Sequence, residues 1–91
     1  MLVFVQLDIS AADLALFEAY ETEVLALLAR HGAAVEERLR STDERTEMHL
    51  LHFPDAEALA AFREDPARAA LQDLWRRCGA TSTLSEVTRI A

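Results

Sequence analysis

The 91-residue chain holds one cysteine, two glycines, two prolines, one tryptophan and one tyrosine. Each scarcity excludes something. With Cys78 alone no intramolecular disulfide can form, and no Cys/His set has the spacing of zinc ligands. Two isolated glycines, Gly32 and Gly79, leave no glycine-rich loop to cradle a phosphate. No Ser-His-Asp or Cys-His order and no haem or flavin fingerprint stands out, so neither a cofactor nor a metal is expected. Basic residues are few as well, nine against sixteen acids, giving a formal net charge of -7. That charge repels nucleic-acid backbones and anionic membrane surfaces at long range. Arg38, Arg40 and Arg45 lie among Glu36, Glu37 and Glu44 and form no basic patch. The opening run MLVFVQLDI is too short to span a membrane and lacks the basic start and cleavage site of a signal peptide. A cytoplasmic protein is expected.

The length fits one domain, residues 1–91. Hydrophobic residues make up 52% of it, many of them alanine. A domain of this size buries only roughly 60 to 65% of the surface its unfolded chain exposes, so a partner subunit adds much to its stability.

Residues 2–9, LVFVQLDI, put Val3, Val5, Leu7 and Ile9 on one face and Leu2, Phe4, Gln6 and Asp8 on the other. Two covered faces predict a central strand. Ser10 with Asp13 resembles a capping box and predicts a helix start. Leu14, Phe17, Tyr20 or Glu21, Val24, Leu27 and Leu28 then follow helical spacing to about His31, where Gly32 supplies the stop. From Ala33 to Arg40 the pattern alternates, Val35, Glu37 and Leu39 against Glu36, Arg38 and Arg40. The polar stretch STDERT predicts a turn, and TEMHLLHF, 46–53, the returning strand of a hairpin. Pro54 and Asp55 open a second helix carrying Leu59 and Phe62, and EDP at 64–66 restarts it, with Asp65 as N-cap and Pro66 at the first helical position. Leu71, Leu74, Trp75 and Cys78 continue its apolar face to Gly79, and a last strand covers roughly 81–90.

The order β-α-β-β-α-β is the ferredoxin-like α+β pattern, two helices on one face of a four-stranded antiparallel sheet. The helices cover one sheet face only. Leu2, Phe4, Leu50 and Leu84 on the other are poor candidates for open water and predict a ligand or a second subunit there.

Four features carry a resemblance to a known group: the aromatic first helix (LFEAYETEV, 16–24), Gly32 before the second strand, Arg38 within that strand, and the FPDAEALAAF joint with EDP after it. The chain resembles the dimeric α/β-barrel proteins, and within them a family of small bacterial proteins of unknown function. The resemblance implies a homodimer closed through the open sheet faces. It also points to relatives that include cofactor-independent monooxygenases of the antibiotic-biosynthesis type, muconolactone isomerases and haem-handling enzymes. The chain differs from that pattern at His52, where an acid often precedes the Phe-Pro pair, and at Arg68, where an aromatic is common.

His49 and His52 are three residues apart, so on a regular strand they point to opposite faces, which argues against a shared metal unless a bulge shifts the register. With Phe53 packed under the helices, His49 shares its face as a hydrogen-bonded structural residue. His52 points with Met48 and Leu50 into the barrel interior, as a ligand contact or general base. Gln6 and Asp8 share a face with Phe4 and are candidates to orient a ligand. Arg38 is a candidate for binding a carboxylate or for pairing with a neighbouring acid at the interface. Tyr20 and Trp75 read as core, His31 as serving a helix C-terminus, and Cys78 as a small apolar residue at a helix end. The expected role is a homodimer holding a small, partly apolar organic molecule between sheet and helices. The alternatives are a cofactor-independent monooxygenase or isomerase using His52 as base, and a structural dimer whose interior is closed.

Overall fold

A computed structural model describes residues 1–91. Strand β1 (Leu2–Asp8) is followed by helix α1 (Leu14–Ala26) and a 3-10 turn (Leu28–His31). Strands β2 (Ala34–Arg40) and β3 (Thr46–His52) form the hairpin. Three short helices, α2 (Ala56–Arg63), α3 (Pro66–Ala69) and α4 (Gln72–Cys78), then lead to β4 (Thr81–Val87). The sheet order is β2-β3-β1-β4 and every pairing is antiparallel. This is the ferredoxin-like architecture, with β1 central as its two apolar faces require, and with the second helical layer broken into pieces.

Local chemistry explains the boundaries. Ser10 does not cap α1, because its N–H and hydroxyl both donate to Asp8 Oδ1, at 3.0 and 2.6 Å, in a turn that ends β1. Asp13 is the cap, accepting from the Leu16 N–H at 3.1 Å. Asp55 and Asp65 cap α2 and α3 as expected, and Pro66 occupies the first position of α3. Gly32 ends the 3-10 turn at φ 67°, where a Cβ would stand 3.1 Å from Pro54 Cγ. Glycine is required there by both conformation and space.

Register fixes which side chains meet. β1 pairs Leu2 with His52, Phe4 with Leu50 and Gln6 with Met48, while Val3 pairs with Leu51 and Val5 with His49. Odd-numbered β1 residues and Glu47, His49 and Leu51 therefore face the helices, where Val3, Leu51, Phe53, Tyr20, Val24, Leu28 and Phe62 form the larger core cluster. A second cluster gathers Leu7, Ile9, Phe17, Cys78 and Ala80. Leu84 pairs with Val5 and so lies on the helix side, not on the open face expected for it.

The main departure from a regular sheet is in β2. Pairing shifts between Val35 and Glu37, leaving Glu36 as an extra residue. Beyond this bulge the parity of the strand is inverted. Glu37 and Leu39 turn to the open face opposite Leu50 and Met48, while Arg38 and Arg40 come to the helix side opposite His49 and Glu47. The uninterrupted alternation expected for 33–40 therefore does not hold, and the two arginines reach buried Glu47 from the helix side because of it. No helix is long and apolar enough to cross a membrane.

Candidate functional site

A cavity of about 200 Å³ lies between the sheet and the helices. Most of its lining is apolar, from Val5, Leu51, Phe53, Phe62 and Trp75 among others, and its polar members are Tyr20, Glu21, His49, Arg68, Gln72 and Ser82. The Tyr20 and Trp75 rings pack with centroids 4.9 Å apart, tilted by 43°, and form part of the wall, so they belong to core and cavity together.

Three acid–base side chains converge beside it. Glu21 from α1 and Glu47 and His49 from β3 are all buried, at 2 to 3% exposure. His49 Nε2 is 2.6 Å from Glu47 Oε2 and 3.5 Å from Glu21 Oε2. Arg38 Nε donates to Glu47 Oε2 at 3.1 Å, and Arg40 donates from Nε and Nη2 to Oε1 at 3.0 and 2.7 Å. Arg40 also pairs with Glu18, which closes the network at the surface.

The two buried carboxyls are driven in opposite directions. Burial works to raise the pKa of Glu47, but hydrogen bonds from His49, Arg40 and Arg38 outweigh it and hold the group below the usual carboxylate value. Glu21 has no such support. Burial, reinforced by the charge of Glu47, pushes it up to about 7, with Arg38 only partly opposing. His49 is pushed down, chiefly by burial, against the pull of Glu47. An Nε2 within 2.6 Å of an ionised oxygen must carry a proton, so the neutral ring is the Nε2–H tautomer donating to Glu47. The cluster then reads as an ionised, arginine-clamped Glu47, a neutral oriented His49, and a Glu21 that changes charge near neutral pH. Two carboxyls with pKa values set apart by their surroundings are the usual mark of separate acid–base roles. Glu21 Oε2 has no hydrogen-bond partner and the side chain lines the cavity.

Ligand atoms of Glu21, Glu47 and His49 lie within 4.8 Å of one another, which is close enough to share a metal ion. Glu47, however, already accepts three arginine hydrogen bonds and one from His49. The guanidinium groups hold the place a cation would take, so the set is better fitted to proton chemistry than to a metal.

The residues singled out in the sequence fall into separate places. His52 is exposed and pairs with Leu2 on the open face, outside the cavity. Gln6 and Asp8 are on the same face toward its other end, Gln6 four residues along β1 from the partner of His52, roughly 13 Å at the rise of a strand. They border an open polar depression with Arg45, Thr46 and Thr81. There Asp8 is held below the usual carboxylate value, first by the Ser10 hydroxyl and then by its N–H. Arg38 alone of the four is near the cavity, and it meets Glu47 inside the subunit. His49 is buried and hydrogen-bonded as expected. His31 lies in the last turn of the 3-10 segment, at its C-terminus, and also bonds Asp65 Oδ2 at 2.8 Å, tying that turn to the cap of α3. Glu21 and Glu47 were not singled out, yet each carried a signal. Glu21 interrupts the apolar stripe four residues after Phe17 and three before Val24, and Glu47 shares the buried parity of His49, Leu51 and Phe53.

No protein-family model and no characterised protein matches the sequence. Solved structures do match the shape. SnoaB, a cofactor-independent oxygenase from Streptomyces nogalater, superposes with a TM-score of 0.73 at 17% identity, over 98% of this chain and 94% of that one. The fold is shared. A putative antibiotic biosynthesis monooxygenase from Caulobacter crescentus gives a TM-score of 0.69 at 20% identity, over 97% and 89% of the two chains. An uncharacterised NIPSNAP domain protein from Burkholderia xenovorans gives 0.63 at 16%, over 100% and 98%. The structural neighbours are thus ferredoxin-like proteins of the antibiotic-biosynthesis-monooxygenase type together with proteins of unknown function.

Proposed function

We propose that the chain binds a small, largely apolar organic molecule in the cavity between sheet and helices and removes a proton from it with Glu21. The observation that carries this reading is the Glu21 carboxyl: buried, lining an apolar cavity, unpartnered at Oε2 and pushed up to about 7. A base with a pKa near the working pH combines adequate ionisation with adequate driving force. His49, whose one ring proton is given to Glu47, stands 3.5 Å away and leaves Glu21 Oε2 free to act on a ligand. Deprotonation of a phenol or an enolisable ketone is the step that a protein without a cofactor can contribute to a reaction with dioxygen or to an isomerisation. The oxygenase among the structural neighbours favours the first of these.

The role of base is assigned to Glu21 and not to His52, because His52 stands on the far side of the sheet. A panel of bicyclic enolisable ketones, 2-tetralone among them, tests it by deuterium incorporation from D₂O followed by NMR. The wild-type protein accelerates exchange over buffer, Glu21→Gln does not, and His52→Ala does. Undiminished exchange in Glu21→Gln would remove Glu21 from the role.

A homodimer through the open sheet face remains part of the proposal. Its support is the row of half-buried Leu2, Phe4, Met48 and Leu50, with Leu39 55% exposed beside them and no second layer of this chain above.

A further inference from the structure

Only two buried side-chain polar atoms in the chain lack a hydrogen-bond partner, Glu21 Oε2 and Arg68 Nε. Both residues line the same cavity. Buried polar atoms without partners are uncommon and costly, so two of them at one void ask for a common explanation.

Arg68 is unlike the other arginines near the interior. Arg38 and Arg40 each meet Glu18 and Glu47, whereas Arg68 has no carboxylate within ion-pair distance. Its Nη1 donates at 3.3 Å to the Arg63 carbonyl, and its guanidinium carbon lies 5.4 Å from the Phe62 ring centroid. Those contacts hold the plane of the group in place and leave Nε free. With His49 neutral, Arg68 is the one cation in the lining. An arginine at the wall of a largely apolar void, with no carboxylate paired to it, has donors suited to an anionic oxygen.

We propose that Arg68 recognises a carboxylate, and that the occupant of the cavity is an aromatic or alicyclic acid, its ring against Phe62 and Trp75 and its anionic oxygens on the guanidinium. This rests on the cavity being a binding site, and it adds the chemical class of the ligand. The volume of about 200 Å³ lies below the roughly 300–1,000 Å³ of pockets for drug-sized molecules, so one or two fused rings is the upper size.

The test is calorimetric titration at pH 6 with 2-naphthoate and with its neutral counterpart 2-naphthylmethanol. Hydrogen bonds to a charged group predict that the wild-type protein prefers the acid by about tenfold to a hundredfold. Arg68→Met and Arg68→Gln lose this preference and keep the affinity for the alcohol. Equal binding of the two ligands by the wild type, or a preference that survives in either variant, overturns the assignment. So does loss of both ligands by both variants, which would make Arg68 a structural support of the wall. If the wild type binds neither ligand, the binding-site reading fails and the inference fails with it.

Discussion

Replacing Glu21 with glutamine makes the protein more stable at alkaline pH, and the size of the effect follows from the site. A carboxyl whose unfolded value is 4.5 and whose folded value is about 7 binds its proton more tightly in the folded state. Its contribution to stability is fully present below pH 4.5 and is lost as the pH rises through about 7. Each tenfold change in the ionisation constant is worth 1.36 kcal/mol, so the loss between pH 4.5 and pH 8.5 is roughly 3 kcal/mol. Glutamine keeps the shape of the protonated acid and cannot ionise. The assay is urea unfolding at fixed protein concentration from pH 5 to pH 8.5, comparing the two proteins at each pH. Titrating groups remote from the site are present in both and cancel in the difference, whereas Glu47 is coupled to Glu21 and its response belongs to the measured effect. The variant should lead by less than about 1 kcal/mol at pH 5 and the curves should separate by roughly 2.5 kcal/mol more toward pH 8.5. Parallel curves would refute the argument, since they would mean that burial and the charge of Glu47 do not raise Glu21.

Other expectations concern the supports of the site. Glu47→Ala leaves His49 without its acceptor and Arg38 and Arg40 with Glu18 alone, and should cost about 1–3 kcal/mol in chemical unfolding; a cost below about 0.5 kcal/mol would show that the network is solvated. Gly32→Ala forces a Cβ against Pro54 at positive φ and should lower stability by about 1–2 kcal/mol, measured by thermal unfolding. Leu50→Glu places a charge in the middle of the open sheet face. It should convert the proposed dimer to monomer in sedimentation velocity while leaving the circular dichroism spectrum of the fold intact; a wild-type protein that already sediments as a monomer would contradict the proposed dimer.

Much of the fold is legible because apolar spacing, three aspartate caps and two glycine stops agree with one another. The exceptions have local causes. Ser10 looked like the cap of α1, but Asp8 is two residues before it and takes its hydroxyl; such short-range competition is decided by geometry that spacing does not encode. In β2, Val35-Glu36-Glu37-Arg38-Leu39 reads as plain alternation, and nothing in those residues marks Glu36 as the bulge. Because the bulge inverts every later side chain, it also decided where Arg38 went. The separation of His49 from His52 followed from strand parity alone, without any knowledge of the site. Glu21 was harder, since an acid within an apolar stripe is usually a surface residue at the edge of the stripe. Its meaning came from the convergence of α1 on β3, a contact between positions 21 and 47 that no local pattern announces. Arg68 was visible as an unusual residue, but its lack of a partner is a property of the assembled cavity.

The most direct measurement is a ¹³C NMR titration of the glutamate side-chain carboxyls in uniformly labelled protein, with Glu21→Gln identifying the signal, repeated with 2-naphthylmethanol present. The account predicts one carboxyl with a midpoint near pH 7, absent from the variant and moved by the ligand. A protein whose glutamates all titrate below about pH 5.5, or whose Glu21 ignores the ligand, would contradict a proton-transfer site in this cavity.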